Sequence, residues 1–399
     1  MLLLALAPAA LSAPLPSLSL DAALNAAMAG NPELSAMARA QGIAEGERRQ
    51  AGSRPNPRLS WEAEDTRADS RTTTISLTQP IELGGKRDAR IALAERGQAL
   101  ASAELELRRN SLRSEVLDAF QASLRAQERL RLVDESVALA LRGLQIAQGR
   151  VGAGKAAPLE ATRAQVQLAD VKLELDRAEV ERNGAYQRLA TLMGVPEPNF
   201  SQVRADTAAW PTPPPSAVLL QRLGETADMR MAMLQVEQRD AALALAKTQR
   251  IPDLDVTLGS QYDRSARERV NVVGLSLPLP LFDRNQGRIL AESRRVDQAR
   301  DLRVAAELRA RRETLLALDL WGSAQREAQS LRETILPAAR LAVESATRGF
   351  EMGKFGFLEV LDAQRTLILA RNQYLQALAQ LSDARSRTER IFGDLADLR

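Results

Sequence analysis

The sequence predicts a mainly α-helical protein with a small β part, built twice along one chain. Three observations carry this. Ala, Leu, Arg, Glu and Gln dominate while aromatic residues make up 3% of the 399 residues, the composition of long helices rather than of a compact enzyme. Two phrases echo each other half a chain apart. And four short runs alternate apolar and polar residues, two in each half.

The echo is GKAAPLEATRAQVQL at 154 to 168 against GKFGFLEVLDAQRTL at 353 to 367. Without gaps they share Gly154/Gly353, Lys155/Lys354, Leu159/Leu358, Glu160/Glu359, Ala164/Ala363, Gln165/Gln364 and Leu168/Leu367. Around it each half runs in the same order. A first structural repeat spans 14–194, with a helix opened by Asn31-Pro32, strands at 57–66 and 71–81, a long helix at 84–149 and a helix at 158–193. A Pro-rich linker at 195–215 forbids helix, because proline fixes φ and lacks the N–H. The second repeat spans 216–399, with a helix at 226–249, strands at 253–262 and 269–281, a long helix at 285–348 and a helix at 357–392.

The helices show heptad spacing, the mark of helices packed side by side. Leu159, Val166, Leu173 and Val180 recur every seventh residue, as do Val360, Leu367, Tyr374 and Leu381, and Leu93, Leu100 and Leu107. At the α-helical rise, the stretch 84–149 would be roughly 100 Å long. The two shorter helices of the same half would nearly match it end to end, which suggests a wall made of one continuous and one broken helix, made twice.

In the strands, Leu59, Trp61 and Ala63 alternate with Arg58, Ser60, Glu62 and Glu64. Ile75 and Leu77 alternate with Thr74, Ser76 and Thr78, and Leu254, Val256 and Leu258 with Asp253, Asp255 and Thr257. Such a sheet has one dry and one wet face, and each run approaches the length of a tilted transmembrane strand. A half-exposed sheet in a soluble protein has the same pattern. In a bilayer, four strands cannot close, since unpaired edge groups are intolerable in hydrocarbon and single-chain barrels have at least about eight strands. Several chains must then pool their strands, and three would reach about twelve.

Composition also excludes chemistry. Histidine and cysteine are both absent, so imidazole and thiolate are missing from any triad, zinc site or redox pair. No residues suggest a catalytic site, a cofactor or a resident metal. The 54 basic and 51 acidic residues are interspersed, with net charge +3, and no basic block points to nucleic acid. Residues 149–155, GRVGAGK, fit the spacing of a phosphate-binding loop, but Ala156 stands where Ser or Thr would hold Mg²⁺, and helix precedes the glycines. The start, MLLLALAPAALSAPLP, is similar to a secretory signal whose basic n-region is missing, with cleavage expected near residue 9 or 13.

The order strand, strand, long helix, turn, helix, repeated twice, resembles the TolC family of outer-membrane factors. QPIELGGKRDAR follows the second strand, and G-K-x-x-x-LE-x-x-x-AQ marks each helical turn. QPIELGGKRDARI in particular resembles the CzcC-like branch of heavy-metal efflux proteins. The resemblance implies a homotrimer: a twelve-stranded transmembrane β-barrel, four strands from each protomer, continuous with an α-barrel of coiled-coil helices through the periplasm. It implies a passive exit duct of a tripartite efflux system, exporting heavy-metal cations, or alternatively drugs and other small molecules. Its partners would be a periplasmic adaptor, an inner-membrane RND pump driven by protons, and outer-membrane lipid.

The resemblance also assigns residues. Gly152, Gly154, Lys155, Gly353, Lys354 and Gly356 match the adaptor-facing tips, where glycine permits unusual backbone and close approach. Glu359 and Asp362, three apart on one helix face, match acidic residues that line the closed tip, so a trimer would carry two rings of carboxylates forming a cation-favouring pore gate. Where TolC has a tyrosine and an arginine in a polar lock, this chain has Phe350 and Phe355. Closure would then be more apolar, with Phe355 packing across the axis at the gate. A soluble coiled-coil scaffold is the reading from another class; it leaves the four symmetric strands unexplained.

Overall fold

The computed structural model describes residues 16–65, 67, 69–204 and 212–394; the expected signal segment at 1–13 and the middle of the Pro-rich linker lie outside them. The chain runs β1 (Ser17–Leu18), α1 (Leu20–Gly30), α2 (Pro32–Ala51), β2 (Arg58–Glu64), β3 (Thr72–Ile81), α3 (Lys86–Gly152), α4 (Pro158–Leu192) and β4 (Gln202–Val203). The second half follows with α5 (Ser216–Gln221), α6 (Ala227–Thr248), β5 (Leu254–Asp263), β6 (Glu268–Ser276), α7 (Gln286–Ser330), a π-helical turn (Leu331–Ile335), α8 (Leu336–Glu351) and α9 (Phe357–Phe392).

Two boundaries differ from the sequence expectation for a physical reason. The strand expected to reach 281 ends at Ser276, because Pro278 and Pro280 supply no N–H to a ladder. The helix expected to run unbroken over 285–348 is interrupted at Leu331–Ile335, just ahead of Pro337. The helix α1 was not anticipated; Ser19 caps it, its Oγ accepting from the Ala22 N–H at 3.3 Å.

The chain forms two compact units, and each draws on both sequence halves. The first holds residues up to 35, 108–222 and 311 onward; the second holds 36–107 and 223–310.

The second unit contains the sheet, ordered β2-β3-β5-β6 and antiparallel throughout. Register places Leu59, Leu77, Leu258 and Val273 in one row across the four strands, and Trp61 and Ile75 in the next on the same face. Leu59, Trp61, Val273 and Leu275 stay 65–76% exposed. The opposite face is polar: Ser60 bonds Ser76 at 2.7 Å, Thr78 bonds Thr257 at 2.9 Å, and Arg58 donates to Asp255 at 3.0 Å. The strand β3 enters α3 through Gly84 and Gly85, both with φ above +70°, a region open to glycine. Around this turn Lys86 Nζ reaches Asp253 at 2.6 Å, Arg87 donates to the Gly52 carbonyl at 2.7 Å, and Arg90 pairs with Glu82. The GGKRDAR phrase is thus a strand-to-helix junction held by its basic residues.

The first unit is a layer of long helices. Trp321 is buried with Ala324, Leu381 and Ala384, tying α7 to α9. Leu336, Ala339 and Val343 of α8 pack on Leu367 and Ala370 of α9. The Ser114 hydroxyl of α3 donates to the Ser386 carbonyl of α9 at 2.9 Å, and Arg129 of α3 pairs with Glu174 and Glu181 of α4. The two heptad stripes separate here. In α9, Val360, Leu367 and Leu381 are buried, whereas Leu159, Val166, Leu173 and Val180 of α4 are 54–72% exposed. Within the chain α4 uses another face, burying Ala164, Leu168, Val171, Ala178, Tyr186 and Leu189. It therefore carries two apolar faces, one of them unpartnered in a single copy.

At the N-terminal end of this unit two backbones cross closely. Asn31 Oδ1 accepts from the Leu34 N–H at 3.0 Å, capping α2, while its Nδ2 donates to the Leu192 carbonyl at 3.1 Å. Gly194 has φ +80°, and a Cβ there would stand 2.2 Å from the Gly30 carbonyl oxygen. Gly194→Ala therefore meets both strain and a backbone clash, and should cost at least about 2 kcal/mol, measured as a lowered unfolding midpoint. Burial also raises the pKa of Asp118 in α3; a hydrogen bond with Ser386 and the charge of Arg125 oppose the rise more weakly, and Asp383 adds to it. A raised folded-state pKa means stability present below the unfolded pKa and lost as pH rises through the folded one. Asp118→Asn should raise Tm by about 2 °C at pH 7.5, with the difference from wild type shrinking toward pH 4.

Candidate functional site at the helical turns

The echoed phrases form two turns with the same backbone. At the first, Ala153 N–H donates to Gly149 O at 3.0 Å, Gly154 to Val151 O at 3.0 Å and Lys155 to Arg150 O at 2.9 Å. At the second, Met352 donates to Arg348 O, Gly353 to Phe350 O and Lys354 to Gly349 O, at 3.0, 3.0 and 2.8 Å. Both are helix C-terminal motifs in which a left-handed residue lets its own N–H and the next one cover orphan carbonyls. Gly154 has φ +69° and Gly353 φ +74°, which explains these two shared glycines. Gly152 and Gly356 do not share that role: Gly152 ends α3 in helical backbone, and Gly356 caps α9 at φ −78°. The first four residues of the phosphate-loop lookalike, 149–152, are helical.

The tips differ in what they bury. Phe350 and Phe357 meet with ring centroids 5.5 Å apart and pack with Ala147, Ala164, Ala346, Val360 and Leu361. At the matching positions of the first tip stand Val151 and Pro158. Phe350 is 1% exposed, so it is part of the core of the tip rather than a lining residue. Phe355 is 46% exposed. Its ring lies over Gly349, where an added Cβ would stand 2.1 Å from it. Lys155, Lys354, Glu359 and Asp362 all face solvent. Glu359 sits in the first turn of α9, where a carboxylate is favoured by the helix N-terminus, and its carboxylate folds back toward Gly356.

Arg150 is the residue that sequence reasoning missed. From the end of α3 its Nη1 donates to the Phe350 carbonyl at 2.9 Å, and its guanidinium stands 4.5 Å above the Phe350 ring. The two turns of one chain are thus held together by a polar contact. The signal was the mismatch within the echo: Arg150 aligns with Gly349, the residue whose missing side chain admits Phe355.

Among the described residues no helix is long and apolar enough to cross a membrane, and no cluster of three His, Cys, Asp or Glu could hold a metal. The family model described as outer membrane efflux protein matches residues 23–195 and 218–394, both halves separately. The chain belongs to the outer membrane efflux protein family. It is 40% identical over 376 residues to the cobalt-zinc-cadmium resistance protein CzcC of Cupriavidus metallidurans, covering 94% of this chain and 90% of that one. It is 30% identical to the nickel and cobalt resistance protein CnrC of the same organism, covering 74% and 70%. The fold is that of solved outer-membrane channels. The CmeC channel of Campylobacter jejuni superposes with a TM-score of 0.80 at 16% identity, covering 94% of this chain and 85% of that one. The outer-membrane channel OprN gives 0.72 at 21%, covering 93% and 89%.

Within this family member, Arg150→Ala should loosen the contact between the turns by about 1–2 kcal/mol. Amide exchange at 350–357 should accelerate roughly tenfold, while exchange in the strands stays unchanged; equal rates at the tip would show the contact to be idle.

Proposed function

We propose that three copies of this chain form the outer-membrane exit duct of a tripartite efflux system that exports divalent heavy-metal cations. One observation carries the reading: the four-stranded sheet is dry on one face, wet on the other, and open at both edge strands, β2 and β6. In hydrocarbon such edges must be paired, and copies that donate β2 to a neighbour's β6 would pair them all. The exposed heptad stripe on α4 supports the same arrangement, since a neighbouring copy would cover Leu159, Val166, Leu173 and Val180. Metal as cargo is supported by the relation to CzcC and CnrC, whose names state resistance to cobalt, zinc, cadmium and nickel. The cation is cargo and selection sits in the pump.

In this assembly the two turns face the inner membrane. Gly152, Gly154, Lys155, Gly353, Lys354 and Gly356 meet the periplasmic adaptor, which couples the duct to a proton-driven RND pump. Glu359 and Asp362 form two rings of three carboxylates at the entrance, and Phe355 narrows it. Clustered like charges draw cations to the mouth, and no bond is made or broken in transit.

Cells lacking the chromosomal gene should lose resistance to cobalt, zinc or cadmium by at least about tenfold in minimum inhibitory concentration and regain it with the wild-type chain; sensitivity to organic drugs instead would move the cargo to that class. In planar bilayers the wild-type trimer should prefer cations. Glu359→Ala with Asp362→Ala should reduce that preference several-fold without loss of the trimer, and unchanged selectivity would remove the carboxylate gate.

A further inference from the structure

At the turn end of the sheet, away from the helices, the charges separate by face. Beyond the row of Leu59, Leu77, Leu258 and Val273 and that of Trp61 and Ile75, the dry side carries Ala63, Thr73, Tyr262 and Arg269 in one row. The last paired row, one step further out, falls on the wet side and holds Glu64, Thr72, Asp263 and Glu268. The wet row before it adds Glu62 beside Thr74, Gln261 and Val270. These two wet rows contain acids and no base.

Beyond the strands the alternation returns to the dry side, and there the bases collect. The Arg264 N–H donates to the Arg71 carbonyl at 3.2 Å, which carries the pairing of β3 and β5 one step past Thr72 and Asp263. Arg267 closes the turn between β5 and β6 with φ +55°. Arg71, Arg264, Arg267 and Arg269 are all exposed. Among the described residues none of these four guanidinium groups meets a carboxylate at ion-pair distance. The acids nearby are engaged within their own turns. Asp65 holds Arg67 at 2.7 Å and Ser70 Oγ at 2.6 Å, and Asp263 accepts from the N–H groups of Ser265 and Ala266 at 2.8 and 3.1 Å. Asp69 is then the one remaining acid in these turns to set against four arginines.

Like charges side by side on one face weaken a sheet unless an anion lies between them. On a lipid-facing surface they are tolerated near the interface, where a long side chain lifts its charged end out of hydrocarbon. The level fits that position. Tyr262 shares the row of Arg269, and Trp61 lies in the next row on the same face; both are exposed, and such aromatic residues mark a membrane boundary. The anions at that boundary are headgroup phosphates, and a guanidinium meets a phosphate through paired N–H donors.

We propose that Arg71, Arg264, Arg267 and Arg269 form a collar that binds the phosphate groups of outer-leaflet lipid, four arginines from each copy around the shared barrel. This rests on the exit-duct reading and names the lipid chemistry that the outer rim of the duct recognises. Glu64, Asp263 and Glu268 point the other way and keep the mouth negative. Lipid phosphate and departing cation therefore meet opposite faces of one rim.

The purified wild-type trimer in detergent is titrated with bisphosphorylated lipid A, and bound lipid is counted by native mass spectrometry. Wild type should bind it at least about tenfold more tightly than the same lipid with both phosphates removed, and the preference should weaken as NaCl is raised. Arg71→Gln with Arg264→Gln and Arg269→Gln should abolish the preference, while Glu64→Gln with Glu268→Gln should keep it. If the triple variant does not assemble, Arg264→Gln alone, at an exposed turn, should weaken binding about threefold. Equal affinity of wild type for the two lipids overturns the collar, as does a wild-type preference in the assembled triple variant or, failing that, in Arg264→Gln. Displacement of the lipid by excess inorganic phosphate would make this a site for the free ion and also overturns it. A chain that stays monomeric in detergent counts against the duct instead, and the comparison of the two lipids on that monomer still decides the collar.

Discussion

Every peptide group that enters hydrocarbon must find its hydrogen-bond partner inside the protein. The architecture of this chain follows from that requirement. Its sheet has a continuous apolar face made by Leu59, Leu77, Leu258 and Val273 and a polar face made by Ser60, Ser76, Thr78 and Thr257. Such a sheet can neither fold back on itself with four strands nor leave its edges open in lipid. In the proposed assembly, copies of the chain supply the missing pairs.

The same incompleteness appears in the helices. Trp321, Leu381 and Val360 are buried within the chain. The second apolar face of α4 is not. An apolar stripe that long, on a helix already packed along its other side, is the helical equivalent of an unpaired strand edge. Both are left without a partner within the single chain.

The two halves keep one backbone at the turns while their side chains differ. The two turns share the same three hydrogen bonds and a left-handed glycine. Around that frame the first contributes Arg150, which reaches across, and the second contributes Phe350, Phe355 and Phe357, with Gly349 making room. The first half keeps α3 unbroken, and the second places a π turn and Pro337 in the matching helix.

The amino-acid sequence by itself determined the class of fold, the two-fold repetition, the wet and dry faces of the strands and the turns at Gly154 and Gly353, because alternation, heptad spacing and glycine at a helix end act locally and can be counted. The echo also marked Lys155 and Lys354, and the family resemblance marked Glu359 and Asp362; all four are exposed at the tips. Only the tertiary structure decided which of two equal heptads is buried: the stripe of α9 faces α8 and that of α4 faces outward, a choice made by the neighbours and not by the spacing. It likewise decided that Phe350 is core and Phe355 half-exposed, that Arg150 binds a carbonyl 200 residues away, and that the extra residue before Pro337 is stored in a π turn. Each of these depends on what lies across the layer, which no local pattern records.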